Sequence, residues 1–169
     1  LIADISEPNG AFRADNLLSN AVWMQTVVPE LTKAAKSGRV YMGVGPEQNF
    51  TYITALKPKM VFIVDVRRGN LDLHLMYKAL FELSADRVEF VSRLFSKPRP
   101  EGLDKDSTVE QIFAAVQKLE STEPQYDANL KAIYDHYALR HGHPLSTDYR
   151  DGLEYVYRAF FEFGPAIQY

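Results

Sequence analysis

Val40-Tyr41-Met42-Gly43-Val44-Gly45-Pro46 and, after one short intervening stretch, Met60-Val61-Phe62-Ile63-Val64-Asp65-Val66 decide how this chain folds. The second is a continuous apolar run of the kind a parallel sheet buries on both faces. The first is a shorter β-prone run that ends in a Gly-Pro turn. Between them, the residues from Glu47 to Leu56 set Phe50, Ile53 and Leu56 on one side at helical spacing, and Pro46 has the fixed φ suited to a first helical position. Strand, short helix and strand in this order make a right-handed crossover between parallel neighbours. The reading is α/β: a Rossmann-type parallel sheet, incomplete within this chain, with a large helical C-terminal portion.

Upstream, Ser6-Glu7-Pro8-Asn9-Gly10 is a turn cluster. Ser19 or Asn20 then offers an N-cap to a helix bearing Trp23, Val27, Val28 and Leu31, which Pro29 is expected to kink. Downstream, Asn70 caps a helix reaching about Leu83, and residues 86–95 read as helix rather than a third strand. Residues 96–106, with two prolines and a glycine, read as a solvated linker. Ser107 and Glu110 form a capping-box pattern, and two more helices follow, from about Pro124 to Arg140 and from about Thr147 to Phe163, the last stopped by Gly164-Pro165. The expected organisation is a nucleoside-binding part over 1–95, the linker over 96–106, and a helical part of the same domain over 107–169. The chain stops at Tyr169 just past a helix terminator, so part of a larger domain is expected beyond it.

Composition narrows the function. With 46% hydrophobic and 24% charged residues the 169-residue chain is globular, and its net charge of −3 recommends no nucleic acid as partner. The absence of Cys excludes disulfides, zinc ribbons, iron–sulfur centres and thiol nucleophiles. No run approaches the ~20 apolar residues of a membrane span. The start at Leu1 leaves localisation open, with the cytoplasm favoured.

The chemistry concentrates at the Gly turn. Gly43 and Gly45 let backbone approach a ligand closely, and Asp65, ending the neighbouring strand, is placed to accept hydrogen bonds from ribose hydroxyls. The dinucleotide pattern G-x-G-x-x-G fails, because Gln48 stands where the third glycine belongs. Glu47 in the first helical turn repels a pyrophosphate and suits a cationic ligand, which favours S-adenosylmethionine over NAD. Pro46, Asn49, Glu7 and Asn20 complete the candidate cofactor-binding set. A Gly-Pro turn that merely joins strand to helix is the plainer alternative.

Three stretches carry a resemblance: Ser6-Glu7-Pro8-Asn9-Gly10 with Asp15-Asn16-Leu17-Leu18-Ser19-Asn20, Gly43-Val44-Gly45-Pro46-Glu47-Gln48-Asn49-Phe50, and Val64-Asp65-Val66-Arg67-Arg68-Gly69-Asn70. Together they resemble an uncharacterised bacterial family similar to class I S-adenosylmethionine-dependent methyltransferases. The resemblance implies a doubly wound α/β domain in which Gly43 and Gly45 approach the methionine part of the cofactor and Asp65 holds its ribose, with an acceptor the sequence does not disclose. The alternative is a noncatalytic ligand-binding or oligomeric scaffold protein on the same fold.

Other constellations are weaker. His141-Gly142-His143, with Asp135 or Asp148, offers metal donors, but two ligands in a loop make no site, and no metal is expected. Arg67, Arg68 and Asn70 read as a solvated strand end. The aromatic series Tyr149, Tyr155, Tyr157, Phe160, Phe161 and Phe163 reads as core that would promote homo-oligomerisation if its cover were missing. No nucleophile elbow, phosphate-binding loop or His-Glu-x-x-His motif occurs.

Overall fold

A computed structural model describes residues 14–168 together with Asp4, Pro8 and Gly10. The chain divides into two compact units, the first ending at Leu71 and the second spanning Asp72–Gln168. This division falls earlier in the chain than the expected linker.

In the first unit, a 3-10 turn Met24–Val27 leads into helix α1 (Val28–Ala34), strand β1 (Val40–Val44), helix α2 (Gln48–Leu56) and strand β2 (Met60–Val64). The first helix starts later than predicted. Ser19 Oγ accepts from the Ala21 amide in a local turn instead of capping a helix, and Pro29 lies in the first turn of α1, where its missing N–H costs nothing and no kink follows. The two strands are parallel and in register from Val40↔Met60 to Val44↔Val64. They form a two-stranded sheet, and the described residues hold no wider Rossmann sheet.

That size overturns one expectation. β2 is not buried on both faces: Val40, Met42 and Val44, with their register partners Met60, Phe62 and Val64, are 42–71% exposed. A parallel sheet hides both faces only when helices cover both. Here the alternate face, bearing Tyr41 and Gly43, meets Asn49 of α2.

Helix α3 (Arg68–Leu83) runs across the division at Leu71, and the second unit continues with α4 (Arg87–Leu94), α5 (Val109–Val116), α6 (Glu123–Asp135), a π-helical turn His136–Arg140, α7 (Thr147–Phe163) and a 3-10 turn Gly164–Ala166. Asn70 lies within the first turn of α3, not at its cap. Asp86 caps α4 by accepting from Glu89 N at 2.9 Å and takes a bidentate bridge from Arg99. The capping box of α5 belongs to Thr108 and Gln111, since Ser107 is engaged with Asp104.

Among the described residues, nearly all the buried apolar side chains lie in this unit, Leu17 and Pro46 being outside it; Leu73, Met76, Leu80, Ile112, Ile133, Leu153, Val156 and Phe160 are central to its core. Tyr157, fully buried, shares a hydrogen bond with Ser96 Oγ (2.8 Å) and donates to Arg93 O (2.5 Å). Of the aromatic series, Tyr157 and Phe160 are core, whereas Tyr155 and Phe163 are exposed.

Residues 96–106 are solvated only in part. Ser96, Lys97 and Pro100 are buried, and Lys97 Nζ donates to Val116 O (3.2 Å) and Leu119 O (2.7 Å), satisfying carbonyls at and just beyond the end of α5. Burial pushes this ammonium below its usual range.

Candidate functional site

The register decides what meets at the sheet edge. Because Val44 pairs with Val64, the residues that follow, Gly45 and Asp65, leave adjacent parallel strands at the same carboxyl end, roughly one strand spacing (about 4.8 Å) apart. Gly45 adopts φ +86°, a conformation that strains any side chain, and it is buried with Pro46. The Asp65 side chain is 5% exposed; its Oδ1 accepts from Arg67 N at 2.9 Å and lies 3.6 Å from Arg67 Nη1. Arg67 is therefore an ion-pair partner, not a solvated strand end.

The space beside Gly43 is occupied by protein. Asn49 is 1% exposed, and its Nδ2 donates to Val44 O (3.1 Å), Gly45 O (2.9 Å) and Pro46 O (2.8 Å), while its Oδ1 accepts from Tyr41 Oη (2.7 Å). A Cβ on Gly43 would stand 1.9 Å from Asn49 Oδ1. The small residue at 43 thus admits the Asn49 amide, which staples the turn.

Glu47 is similarly engaged. Its two carboxylate oxygens accept from Ser19 N at 3.0 and 3.1 Å, tying the 15–20 segment to the Gly turn. Asn20, next along, is exposed, and Glu7 lies outside the described residues. Gln48 donates from Nε2 to Val44 O (2.8 Å), but its Oε1 is buried with no hydrogen-bond partner among the described residues. Asn70 Oδ1 is in the same state. Both are acceptors.

The second unit holds a cluster that sequence spacing could not reveal. His136 Nε2 lies 2.6 Å and His141 Nε2 2.8 Å from the same oxygen, Oε2 of Glu82, while Lys78 bonds the other oxygen. The three donor atoms lie within 4.8 Å of one another. Lys78 first, then the two imidazoles, hold the Glu82 carboxyl down at about 2. His141 therefore groups with Glu82 and His136, not with His143 or Asp135; Asp135 is paired with Lys131. The sequence reading names His141 as a possible donor but not Glu82 or His136.

A hollow of about 360 Å³ beside Lys97, Gln117, Phe161 and Phe163 contains none of the predicted residues. No helix among the described residues is long and apolar enough to cross a membrane.

The family described as Domain of unknown function (DUF7790) matches residues 18–148. The chain belongs to that family. No curated protein and no solved structure matches it. The part shared with DUF7790 takes in Gly43, Gly45, Glu47, Asn49 and Asp65 in the first unit, and Glu82, His136 and His141 in the second.

Proposed function

We propose that this DUF7790 protein binds S-adenosylmethionine at the carboxyl edge of its β1–α2–β2 unit and is methyltransferase-like. The observation that carries the reading is the adjacency of Gly45 and Asp65 at the ends of paired parallel strands, the position where open α/β sheets take their ligands. The chemistry of the edge fits a hydroxyl- and ammonium-bearing nucleoside: the Asp65 carboxylate is an acceptor, and the buried Gln48 Oε1 is an acceptor with no partner among the described residues. In this reading Asp65 orients the ribose through Oδ2 while Oδ1 stays on Arg67. Gly45 provides the bare turn, and Asn49 and Glu47 hold that turn and the 15–20 segment rigid. Gly43 serves Asn49 and touches no ligand. The cofactor, when bound, supplies an electrophilic sulfonium methyl; the chain's contribution is placement, which is where most of the rate advantage of such a transfer arises.

Titration calorimetry of the full chain with S-adenosylmethionine, S-adenosylhomocysteine and NAD tests this, using Asp65→Asn, which keeps the acceptor for Arg67 N, beside Asp65→Ala. Binding of the first two ligands, weakened at least tenfold in both variants, is expected. Wild-type silence, or equal binding by the variants, removes the proposal.

One observation favours the second reading, an oligomeric scaffold. Six exposed apolar side chains in mutual register form a continuous patch on one sheet face. Sedimentation equilibrium decides it: self-association abolished by Met42→Lys with Phe62→Lys supports the scaffold, and a wild-type monomer counts against it.

A further inference from the structure

We propose that Glu82, His136 and His141 form a binding site for a divalent transition-metal ion, zinc being the best suited. The donor set is the first ground: two imidazole nitrogens and one carboxylate oxygen make the mixed N/O set that zinc accepts with three protein ligands and one open position. Its assembly is the second. Glu82 comes from the end of α3 and the two histidines from the far end of the α6 segment, 54 and 59 residues later, yet both Nε2 atoms are aimed at one oxygen.

The backbone is the third ground. Residues five apart on an α-helix stand about 140° apart around its axis, given 3.6 residues per turn. The π-helical turn at His136–Arg140 widens that repeat and brings His136 and His141 toward one face. Such single turns recur at functional sites because they trade regular hydrogen bonding for side-chain placement. The rings end 5.1 Å apart between centroids, inclined at 73°, so their nitrogens converge while their faces do not stack.

A tetrahedral ion with bonds of about 2.0–2.2 Å needs its ligand atoms roughly 3.3–3.6 Å apart. The two N···O separations, 2.6 and 2.8 Å, must therefore open by somewhat more than half an ångström. Glu82 and His141 can supply this movement, since both side chains are part-exposed, whereas the His136 side chain is 4% exposed. The ion takes the place of the hydrogen on each Nε2, and each imidazole then carries its hydrogen on Nδ1 and offers the Nε2 lone pair. Lys78 keeps the second carboxylate oxygen, leaving Glu82 monodentate.

The alternative is a purely structural knot, with one carboxylate accepting two ring N–H bonds. Tag-free full chain, dialysed against excess zinc and then metal-free buffer, separates the two by elemental analysis and by the visible absorption of a cobalt-substituted sample. The site predicts one zinc per chain, intense cobalt bands of four-coordinate type, and at least tenfold weaker binding in Glu82→Gln and His141→Ala, with His143→Ala unchanged. His141→Ala alters a part-exposed ring and is the arm least prone to unfolding. Less than one-fifth of an equivalent in the wild type, or equal retention by the Glu82→Gln and His141→Ala variants, overturns the proposal.

Discussion

Gly43→Ala is the sharpest test of how the turn is built. An added Cβ would sit 1.9 Å from Asn49 Oδ1, 2.7 Å from the Tyr41 ring and 2.8 Å from its hydroxyl. No rotation of the new methyl relieves this, and Asn49, at 1% exposure, has no room to retreat without leaving its partners. Its displacement forfeits the bonds to the carbonyls of Val44, Gly45 and Pro46 and the one from Tyr41. At roughly 0.5–1.5 kcal/mol net for each of the two to three independent bonds, plus overpacking, the cost comes to about 3 kcal/mol. Asn49→Ala should cost about as much by the same losses, and the double variant clearly less than the sum of the two, since the clash with Asn49 has gone and only the Tyr41 side chain must still shift. Hydrogen-exchange mass spectrometry of peptides covering 40–66 reads local opening directly, and about 3 kcal/mol appears there as roughly 150-fold faster exchange. Exchange in Gly43→Ala within threefold of wild type, or a double variant equal to the sum of the singles, would refute the account of Asn49 as the staple.

Three further outcomes are expected in the second unit. Tyr157→Phe takes the partner from the buried Ser96 hydroxyl and one of the bonds from the Arg93 carbonyl, which keeps the Ser96 amide and Asn129 Nδ2, and should cost about 1–3 kcal/mol, read as a lowered calorimetric transition. Thr108→Ala removes a two-way capping box and should cost about 1 kcal/mol by denaturant titration, with Thr108→Ser nearly neutral; equal losses in both would discount the cap. Arg99 and the Glu89 amide hold the Asp86 carboxyl down at about 2, against 3.8 ordinarily, so its stabilisation is present above about pH 4 and is lost as pH falls toward 2. Asp86→Asn should accordingly flatten the acid limb of the stability curve between those values, and an unchanged slope would show that the pair is too screened to matter.

Much of the architecture was legible in the chain because it depends on neighbours in sequence. The 3.6-residue repeat through Met76, Ala79, Leu80 and Leu83 and that through Leu153, Val156, Tyr157 and Phe160 specify their helices wherever the partners lie, and the β1–α2–β2 order forces a parallel pair. Thr108 rather than Ser107 at the cap was less legible, since both are adjacent hydroxyls and the choice turned on Asp104 claiming the serine. The exposed face of β2 was not legible at all. An apolar run states that burial is favourable but not whether a covering layer exists.

The same contrast divides the two sites. Gly45 and Asp65 could be matched from spacing, because strand register converts sequence distance directly into position along an edge. That Asn49 fills the space beside Gly43, and that Glu82 faces two histidines more than fifty residues away, follows from how side chains settle once helices have packed. Periodicity is a property of one segment, whereas convergence of donors is a property of several segments brought together by burial of their other faces, and no single stretch of chain encodes it.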